Sequence, residues 1–171
     1  MAEVSVFAVY ESSTGVVVGA VKAIDVPVPA VDALVGTALP VRAGAATLSL
    51  SGRELAVHEA DDQPEVFVDP LAYGVTRLPS QPPKPALAKL PTLDPPKFDG
   101  TGLLVALPGD AAQDTAVFAL VSEGQGTLPI TGTITKGTGH VAIPVTVSPG
   151  THAVLLLVAG WAGRLDEVEK Q

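Results

Sequence analysis

The chain contains no cysteine and no asparagine among its 171 residues. Without cysteine it can build neither a disulfide framework nor a thiolate zinc site, and it has no thiol nucleophile. Without asparagine it offers no acceptor for N-linked glycans. These two absences exclude disulfide-stabilised scaffolds, zinc fingers and cysteine hydrolases.

Charged and aromatic residues are also scarce. Charged side chains make up 16% of the chain, whereas about 25% is ordinary, and aromatic side chains make up only 4%. The ten lysines and arginines are scattered under a formal net charge of −8, whereas nucleic-acid binding needs clustered positive charge. We therefore expect no nucleic-acid partner, and few rings are present for stacking bases or sugars.

Small and branched apolar residues are in excess. The chain is 47% hydrophobic, with 25 valines, 24 alanines and 19 leucines, and this excludes a disordered acidic chain. Valine favours pleated, half-buried surfaces. Because charges are so few, a monomer would leave much valine and alanine surface in water, so we expect neighbouring subunits to cover it. A genome that favours alanine and valine codons is the alternative explanation.

The chain shows neither a secretory signal nor a membrane span. Its first residues lack the basic region of a signal peptide, and its most apolar run, from Ala153 to Ala159, is far shorter than the roughly 20 residues of a spanning helix. We therefore expect no membrane partner and synthesis in the cytoplasm without a signal peptide. Release of an assembled particle to the outside stays open.

Residues 79–97 hold seven of the sixteen prolines. Proline fixes φ and has no N–H, so neither a helix nor a central strand can run through this segment. We expect an extended arm of about 55–60 Å, at ~3.1 Å per residue. One interpretation is a plain interdomain linker. The other is an arm laid over a neighbouring subunit through Leu87, Leu90 and Leu93, because a solvated linker does not need regularly spaced leucines.

Short apolar segments separated by glycine and proline turns fill the rest of the chain. Val4–Tyr10 and Val16–Ile24 flank a turn and predict a hairpin, and Glu65–Val68 is a further short strand candidate. After the arm, strand-like segments recur about every 8–12 residues, which is typical of a β-sandwich. These segments are Gly102–Leu107, Thr115–Ser122, Leu128–Ile134, His140–Val147 and Thr151–Ala159.

The sequence therefore predicts an all-β fold of two small β domains joined by a Pro-rich extended arm. Residues 1–78 form an N-terminal β domain that starts with a hairpin, residues 79–97 form the arm, and residues 98–160 form an Ig-like β-sandwich. Residues 161–171 are charged and predict a tail or a short helix, in which Leu165 and Val168 share one face.

One dense cluster of titratable residues lies between His58 and Asp69. Carboxylates this close together can bind Ca²⁺ or Mg²⁺, so Asp61, Asp62 and Glu65 are the candidate metal ligands. Their order does not match the EF-hand loop, and neighbouring side chains such as Asp61 and Asp62 point in different directions. A solvated acidic loop is therefore the preferred interpretation.

Patterns that carry catalysis or phosphate binding are missing. The chain has no nucleophile elbow, no dinucleotide fingerprint and no P-loop. His140 and His152 follow turns and are expected to be exposed, and together with His58 they show no metal-ligand spacing. We predict no catalytic residue and no cofactor. Trp161 is either an anchor for a partner or a plug for the open end of the sandwich.

Three features together resemble structural proteins of phage tails and of phage-tail-like contractile injection particles. They are the N-terminal hairpin with Tyr10-Glu-Ser-Ser-Thr-Gly15, the Pro-rich arm, and a C-terminal sandwich that contains Asp114-Thr-Ala-Val-Phe118 and Ser148-Pro-Gly-Thr-His152. The resemblance extends over the whole chain in style and has no diagnostic motif. It implies a non-catalytic role in a symmetric assembly.

The favoured function is that of a non-catalytic structural protein, a subunit of a larger oligomeric particle. Its partners are copies of itself or other subunits, and Leu87, Leu90, Leu93 and Trp161 are the predicted contacts. The alternative is a monomeric Ig-like module that binds a protein or a glycan through its turn loops. A metal-assisted hydrolase that uses the cluster from His58 to Asp69 is the least favoured hypothesis.

Overall fold

A computed structural model of the chain describes residues 2–60, 63–75 and 87–171. Strands dominate it, and the predicted all-β class is confirmed. The strands are β1 (Val4–Glu11), β2 (Val17–Ile24), β3 (Ala38–Ala43), β4 (Ala46–Ser51), β5 (Leu55–Ala60), β6 (Tyr73–Val75), β7 (Leu87–Lys89), β8 (Lys97–Phe98), β9 (Gly102–Ala106), β10 (Thr115–Glu123), β11 (Gly126–Ile134), β12 (His140–Pro144), β13 (Gly150–Val158) and β14 (Trp161–Lys170).

Helical structure is limited to short turns in the described chain. The two α-helices are α1 (Val31–Val35) and α2 (Glu65–Val68), and 3-10 turns lie at Gly52–Glu54 and Pro70–Ala72. None of these helices is long and apolar enough to cross a membrane. Glu65–Val68 was expected to be a strand, and that prediction is wrong. One helical turn buries Val66 and leaves Phe67 and Val68 largely exposed.

The strands form antiparallel sheets around a central one. The central sheet has the order β11-β10-β13-β14, and a three-stranded sheet has the order β12-β9-β8. The predicted hairpin is confirmed as β1 and β2, which join β5 in a second three-stranded sheet of order β2-β1-β5. Two further pairs, β3-β4 and β6-β7, complete the described chain.

The two inner strands of the central sheet, β10 and β13, are buried on both faces. Along β10, Val117, Ala119 and Val121 enter one hydrophobic cluster and Phe118 and Leu120 enter another, and all five are at most 2% exposed. Successive side chains of a strand point to opposite faces, so this alternation puts a separate core on each side. The β13 strand does the same from Ala153 to Val158. Uninterrupted apolar runs are typical of strands covered on both sides.

One face of the central sheet packs against the sheet β12-β9-β8. Leu103 and Val105 of β9 and Ile143 of β12 lie in the same cluster as Val117 and Leu156 of the central sheet. We call this cluster the sandwich core. Residues 98–160 therefore include two facing sheets, as the sandwich prediction requires.

The other face of the central sheet packs against the N-terminal half of the chain. Leu48 and Leu50 of β4 and Val9 of β1 lie in one cluster with Phe118 and Leu155 of the central sheet. We call this cluster the shared core. Residues 1–78 and 98–160 were predicted as separate domains, and the structure differs, because the two halves bury their apolar side chains against each other.

The opposite face of β1 is also covered. Ala8 of β1 and Val17 of β2 pack with Val66 of α2, Tyr73 of β6 and Leu87 of β7. We call this cluster the outer core. The β1 strand is thus buried on both sides, which explains why nearly all its residues are inaccessible to water.

The described part of the proline-rich arm is packed on its own chain. Leu87 lies in the outer core, Leu90 packs against the shared core, and Leu93 lies in the sandwich core. Leu87 and Leu93 are each 3% exposed. Over residues 87–97 this arrangement differs from both interpretations of the arm. The segment is neither a free linker nor a strap on a neighbouring subunit, because its leucines pack on their own chain. Residues 79–86 lie outside the described chain.

Backbone contacts fix the same segment. The carbonyl of Pro91 accepts a hydrogen bond from the Ala162 N–H at 2.8 Å, and the carbonyl of Leu93 accepts one from Arg164 Nη1 at 2.6 Å. The Arg164 guanidinium also donates two hydrogen bonds to Asp166, at 2.8 and 3.0 Å, and the contact with Asp166 raises the pKa of Arg164. The arm is therefore held to β14 at several points.

Residues 161–171 are not a tail or a short helix, and that prediction is wrong. Trp161–Lys170 forms β14, which pairs with β13 along its length. Leu165 and Val168 share a face in a helix but point to opposite faces in a strand. In the structure Leu165 packs against the shared core and Val168 lies in the sandwich core. The charged residues suit β14 because it is an edge strand of its sheet.

We expect Leu93→Ala to lower the free energy of unfolding by about 2–4 kcal/mol, because it opens a cavity in a closed core. Urea unfolding followed by Trp161 fluorescence measures the loss. Thr92→Ala, at the exposed neighbouring position, is the control and should change stability by less than about 0.5 kcal/mol. Equal stability of the two variants would contradict the placement of Leu93 in the core.

Candidate functional site

The predicted metal ligands are not brought together in the described chain. Asp61 and Asp62 lie outside the described residues, and Glu65 is the first residue of α2. His58 lies on β5, where its ring contacts Tyr10 edge-on at a centroid distance of 6.4 Å. Over residues 2–60, 63–75 and 87–171, no group of three or more possible metal ligands occurs.

The histidines after the arm differ from each other in burial. His140 begins β12 and is exposed, as predicted. His152 was also expected to be exposed, and that prediction is wrong, because it is only 6% exposed. It is the third residue of β13. Its side chain lies among the end of β10, the turn that precedes β13, and β8.

The His152 ring lies between two backbone carbonyls. Nδ1 is 2.5 Å from the carbonyl oxygen of Ser122, and Nε2 is 2.7 Å from that of Ser148. The carboxylate of Glu123 lies 3.5 Å from Nδ1, and the Phe98 ring stands edge-on at a centroid distance of 5.6 Å. Both ring nitrogens therefore face oxygen atoms at hydrogen-bond distance.

Glu123 is tied to the turn that precedes β13. The Ser148 hydroxyl donates a hydrogen bond to its carboxylate, and the Ser148 N–H lies 3.2 and 3.3 Å from the two oxygens. The hydrogen bond from the Ser148 side chain is the main cause that lowers the pKa of Glu123, and the backbone N–H and the nearby His152 act in the same direction.

A serine, a histidine and a glutamate thus meet, but not in the geometry of a nucleophilic triad. In a triad, a ring nitrogen of the histidine accepts the proton of the serine hydroxyl. Here the Ser148 hydroxyl donates to Glu123, and both nitrogens of His152 are directed at backbone carbonyls. The arrangement fastens a turn to a strand end, and we name Glu123, Ser148 and His152 the turn clasp.

No sequence pattern marks this cluster. The sequence predicts separate strands at Thr115–Ser122 and Thr151–Ala159, Ser148 lies between them, and Glu123 carries no signal of its own. Their proximity depends on the pairing of β10 with β13, which sets Val121 opposite Val154. A histidine two residues into a strongly apolar strand was the one available signal of a buried polar contact.

A cleft of about 530 Å³ lies where the first hairpin turn meets the ends of β10 and β13. The buried carboxylate of Glu11 organises this turn, since it accepts hydrogen bonds from the backbone and hydroxyl groups of Ser13 and Thr14. The cleft is lined by Tyr10, Ser12, Ser13, Thr14, Gly15, Val75, Gln113, Asp114, Ala116, Ala159 and Gly160.

The predicted partner contacts offer little free surface. Leu87 and Leu93 lie in the core of their own chain, Leu90 is partly buried, and Trp161 is partly buried against the sandwich core.

Four exposed aliphatic side chains lie at or just after the open end of the first hairpin, and Val21 of β2 and Val68 of α2 are exposed elsewhere. Val4, Ile24, Val26 and Val28 are between 42% and 58% exposed, and we name them the hairpin-end patch. Val4 and Ile24 are cross-strand partners, so they point to the same face. Large apolar residues gathered in one place mark interaction surfaces more often than single ones do.

Comparisons with protein-family models, with curated proteins and with solved structures give no match. The function of the chain has to be inferred from its own surfaces and contacts.

We expect Ser148→Ala to raise the pKa of Glu123 towards its ordinary value, because the variant removes the hydrogen bond that favours the carboxylate. Because the folded pKa is lowered, the contact stabilises the protein at neutral pH, and this stabilisation is lost as the pH falls through the folded pKa. Carboxyl ¹³C NMR titration measures the change. Thr151→Ala, which removes a hydrogen bond to Glu169, is the control, and an unchanged Glu123 titration in Ser148→Ala would contradict the assignment.

Proposed function

We propose that the chain is a non-catalytic assembly protein that associates with copies of itself through the hairpin-end patch. The observation that carries this proposal is the exposure of Val4, Ile24, Val26 and Val28 together at one end of the molecule. Full burial of an exposed valine or isoleucine contributes about 1.5–3 kcal/mol, and these side chains, which are about half exposed, would each contribute part of that. Exposure of four of them is unfavourable in a monomer, and their burial favours an assembly.

The backbone around the patch supports the same proposal. In the described chain, β2 is the edge of its sheet, and Val16, directly before it, forms an isolated bridge with Gly74. Edge strands present free N–H and C=O groups that can pair with another chain. Pro27 and Pro29 interrupt the segment after β2 and limit how far such pairing can extend.

The charge of the chain makes this association sensitive to salt. Each copy carries a formal net charge of −8, so copies repel each other at low ionic strength. Salt screens this repulsion, with a Debye length of about 10 Å at 0.1 M and about 3 Å at 1 M. Contact through aliphatic side chains is not weakened by screening, so association should increase with salt.

The size of the patch favours repetition of a weak contact. A stable pairwise interface commonly buries about 1,200–2,000 Å², and four aliphatic side chains supply only part of that area. Identical weak contacts become stable when they repeat around a ring or along a tube. This agrees with the resemblance to structural proteins of phage tails and phage-tail-like contractile injection particles, and we propose a subunit of such a particle as the biological role.

A module that binds a separate ligand is the second candidate. The cleft beside the Tyr10–Gly15 turn favours it, because hydroxyl and amide groups line a concave surface there. Both halves of the chain line this cleft, so binding has to be tested on the full chain. A glycan or peptide that binds the full chain and loses affinity in Gln113→Ala would support this candidate.

We expect the double variant Ile24→Lys, Val26→Lys to weaken self-association by at least about tenfold, since each change replaces a buried aliphatic contact by a charge. Sedimentation velocity over a range of protein concentrations, at 0.1 and 1 M salt, measures the effect.

The matched control is Thr131→Lys, Thr133→Lys at exposed positions of β11. It changes the net charge by the same amount, which lowers the repulsion between copies, and it should associate at least as strongly as the unmodified chain does. A chain that stays monomeric at every concentration and salt level would refute the assembly proposal.

A further inference from the structure

We propose that the turn clasp is a proton-operated latch, closed when His152 is an imidazolium and open when it is neutral. The latch joins the turn that precedes β13 to the end of β10. The proposal concerns the conformation of one molecule and does not depend on the assembly function.

The proposal rests on the atoms that face the ring. Neutral imidazole has one N–H donor and one nitrogen with a lone pair, whereas imidazolium has two donors. Both nitrogens of His152 face carbonyl oxygens, at 2.5 and 2.7 Å, and a carbonyl oxygen only accepts. Imidazolium therefore satisfies both contacts, while either neutral tautomer sets a lone pair against a carbonyl.

Because the ring is buried, an unsatisfied contact at either nitrogen is costly in free energy. His152 is 6% exposed, so water has little room to replace a lost contact. The two sides of the ring are also fixed independently. The Ser122 hydroxyl accepts a hydrogen bond from the Ala153 N–H at 2.8 Å, and Ser148 is bound to Glu123. The neutral ring must therefore move, or release the Ser148 turn.

The groups that face the His152 ring come from four segments. From β10, the Glu123 carboxylate faces the ring at 3.5 Å. From β14, the residue directly opposite is the uncharged Val168, and from β8 the facing side chain is Phe98. Ser148 brings no charge from the turn.

On β14, Asp166 and Lys170 share the face of Val168. Asp166 is held by Arg164, and Lys170 Nζ lies 3.5 Å from the backbone carbonyl oxygen of Asp99. Lys97 precedes Phe98 on β8, and Glu167 and Glu169 flank Val168 on β14, so strand alternation turns these three to the opposite faces. Asp99 accepts hydrogen bonds from Thr101 and Gly102, and Glu169 accepts one from Thr151.

The latch acts at the connection between the two sheets of the sandwich. Residues 145–149 lead from β12 in one sheet to β13 in the other. Val147 in this connection is buried in the sandwich core. Release of Ser148 would loosen the connection and let water reach Val147, so the protonation of His152 sets how firmly this end of the sandwich closes.

The pH dependence has a definite sign. A proton that closes the latch binds the folded chain more tightly than the unfolded chain, so this contact stabilises the fold at pH 5.5 and is lost as the pH rises. The Glu123 contribution has the opposite sign, because its pKa is lowered, and it is lost only in more acidic solution. Measurements between pH 5.5 and 8.0 therefore report on the histidine.

The direct test is ¹⁵N NMR of the histidine rings in the full chain. We expect both nitrogens of His152 to carry protons at pH 5.5, and the Ser148 and Ala153 amides to lose protection from hydrogen exchange as the pH rises to 8.0. A single protonated ring nitrogen at pH 5.5 in the folded chain would overturn the proposal.

His152→Gln provides a second test, because a side-chain amide cannot donate a hydrogen bond on both sides. We expect Tm at pH 5.5 minus Tm at pH 8.0 to be about 4 °C smaller in His152→Gln than in the unmodified chain. This is the scale of one hydrogen bond to a charged group in a domain of this size. His140→Gln, at an exposed position, should leave the difference unchanged. Equal pH dependence of all three proteins would reject the latch.

Discussion

The rest of the structure depends on a central sheet that must be covered on both faces. The β10 and β13 strands alternate their side chains between two hydrophobic cores, and nearly every residue in them is buried. A single facing sheet would leave half of these side chains in water, which costs about 25 cal/mol per Å² of apolar area. The N-terminal half of the chain supplies the second cover, and the arm at residues 87–97 runs past all three cores and contacts each of them.

The sequence predicted the class of the fold and most strand positions, because apolar runs bounded by glycine and proline turns are local signals. It did not predict how the halves combine. The run from Ala153 to Ala159 indicated burial but not which segments cover each face, since that depends on long-range pairing. The leucines of the arm were noticed by their spacing, yet spacing alone does not distinguish the core of the same chain from the surface of another. For Leu165 and Val168, a three-residue separation fitted a helix as well as a strand that divides its side chains between two cores.

The functional features were less accessible to sequence analysis. The turn clasp joins residues from a strand end, a turn and the next strand, and only the β10–β13 register brings them together. The hairpin-end patch consists of ordinary valines and an isoleucine at the start of β1, at the end of β2 and in the segment after it, and no sequence pattern marks them as exposed. The general expectation of surplus apolar surface had a physical basis, but most of that surface is covered within the chain. Of the large apolar side chains left exposed, four form the hairpin-end patch, which suits contact with further copies.

Hydrogen exchange followed by mass spectrometry at increasing urea concentrations tests the central claim most directly. If the N-terminal half is the necessary cover of the central sheet, peptides from β1 and from β13 will lose protection at the same urea concentration, as parts of one cooperative unit. Loss of protection in β1 at clearly lower urea, while β10 and β13 stay protected, would contradict the account, because the central sheet would then be stable with one face open.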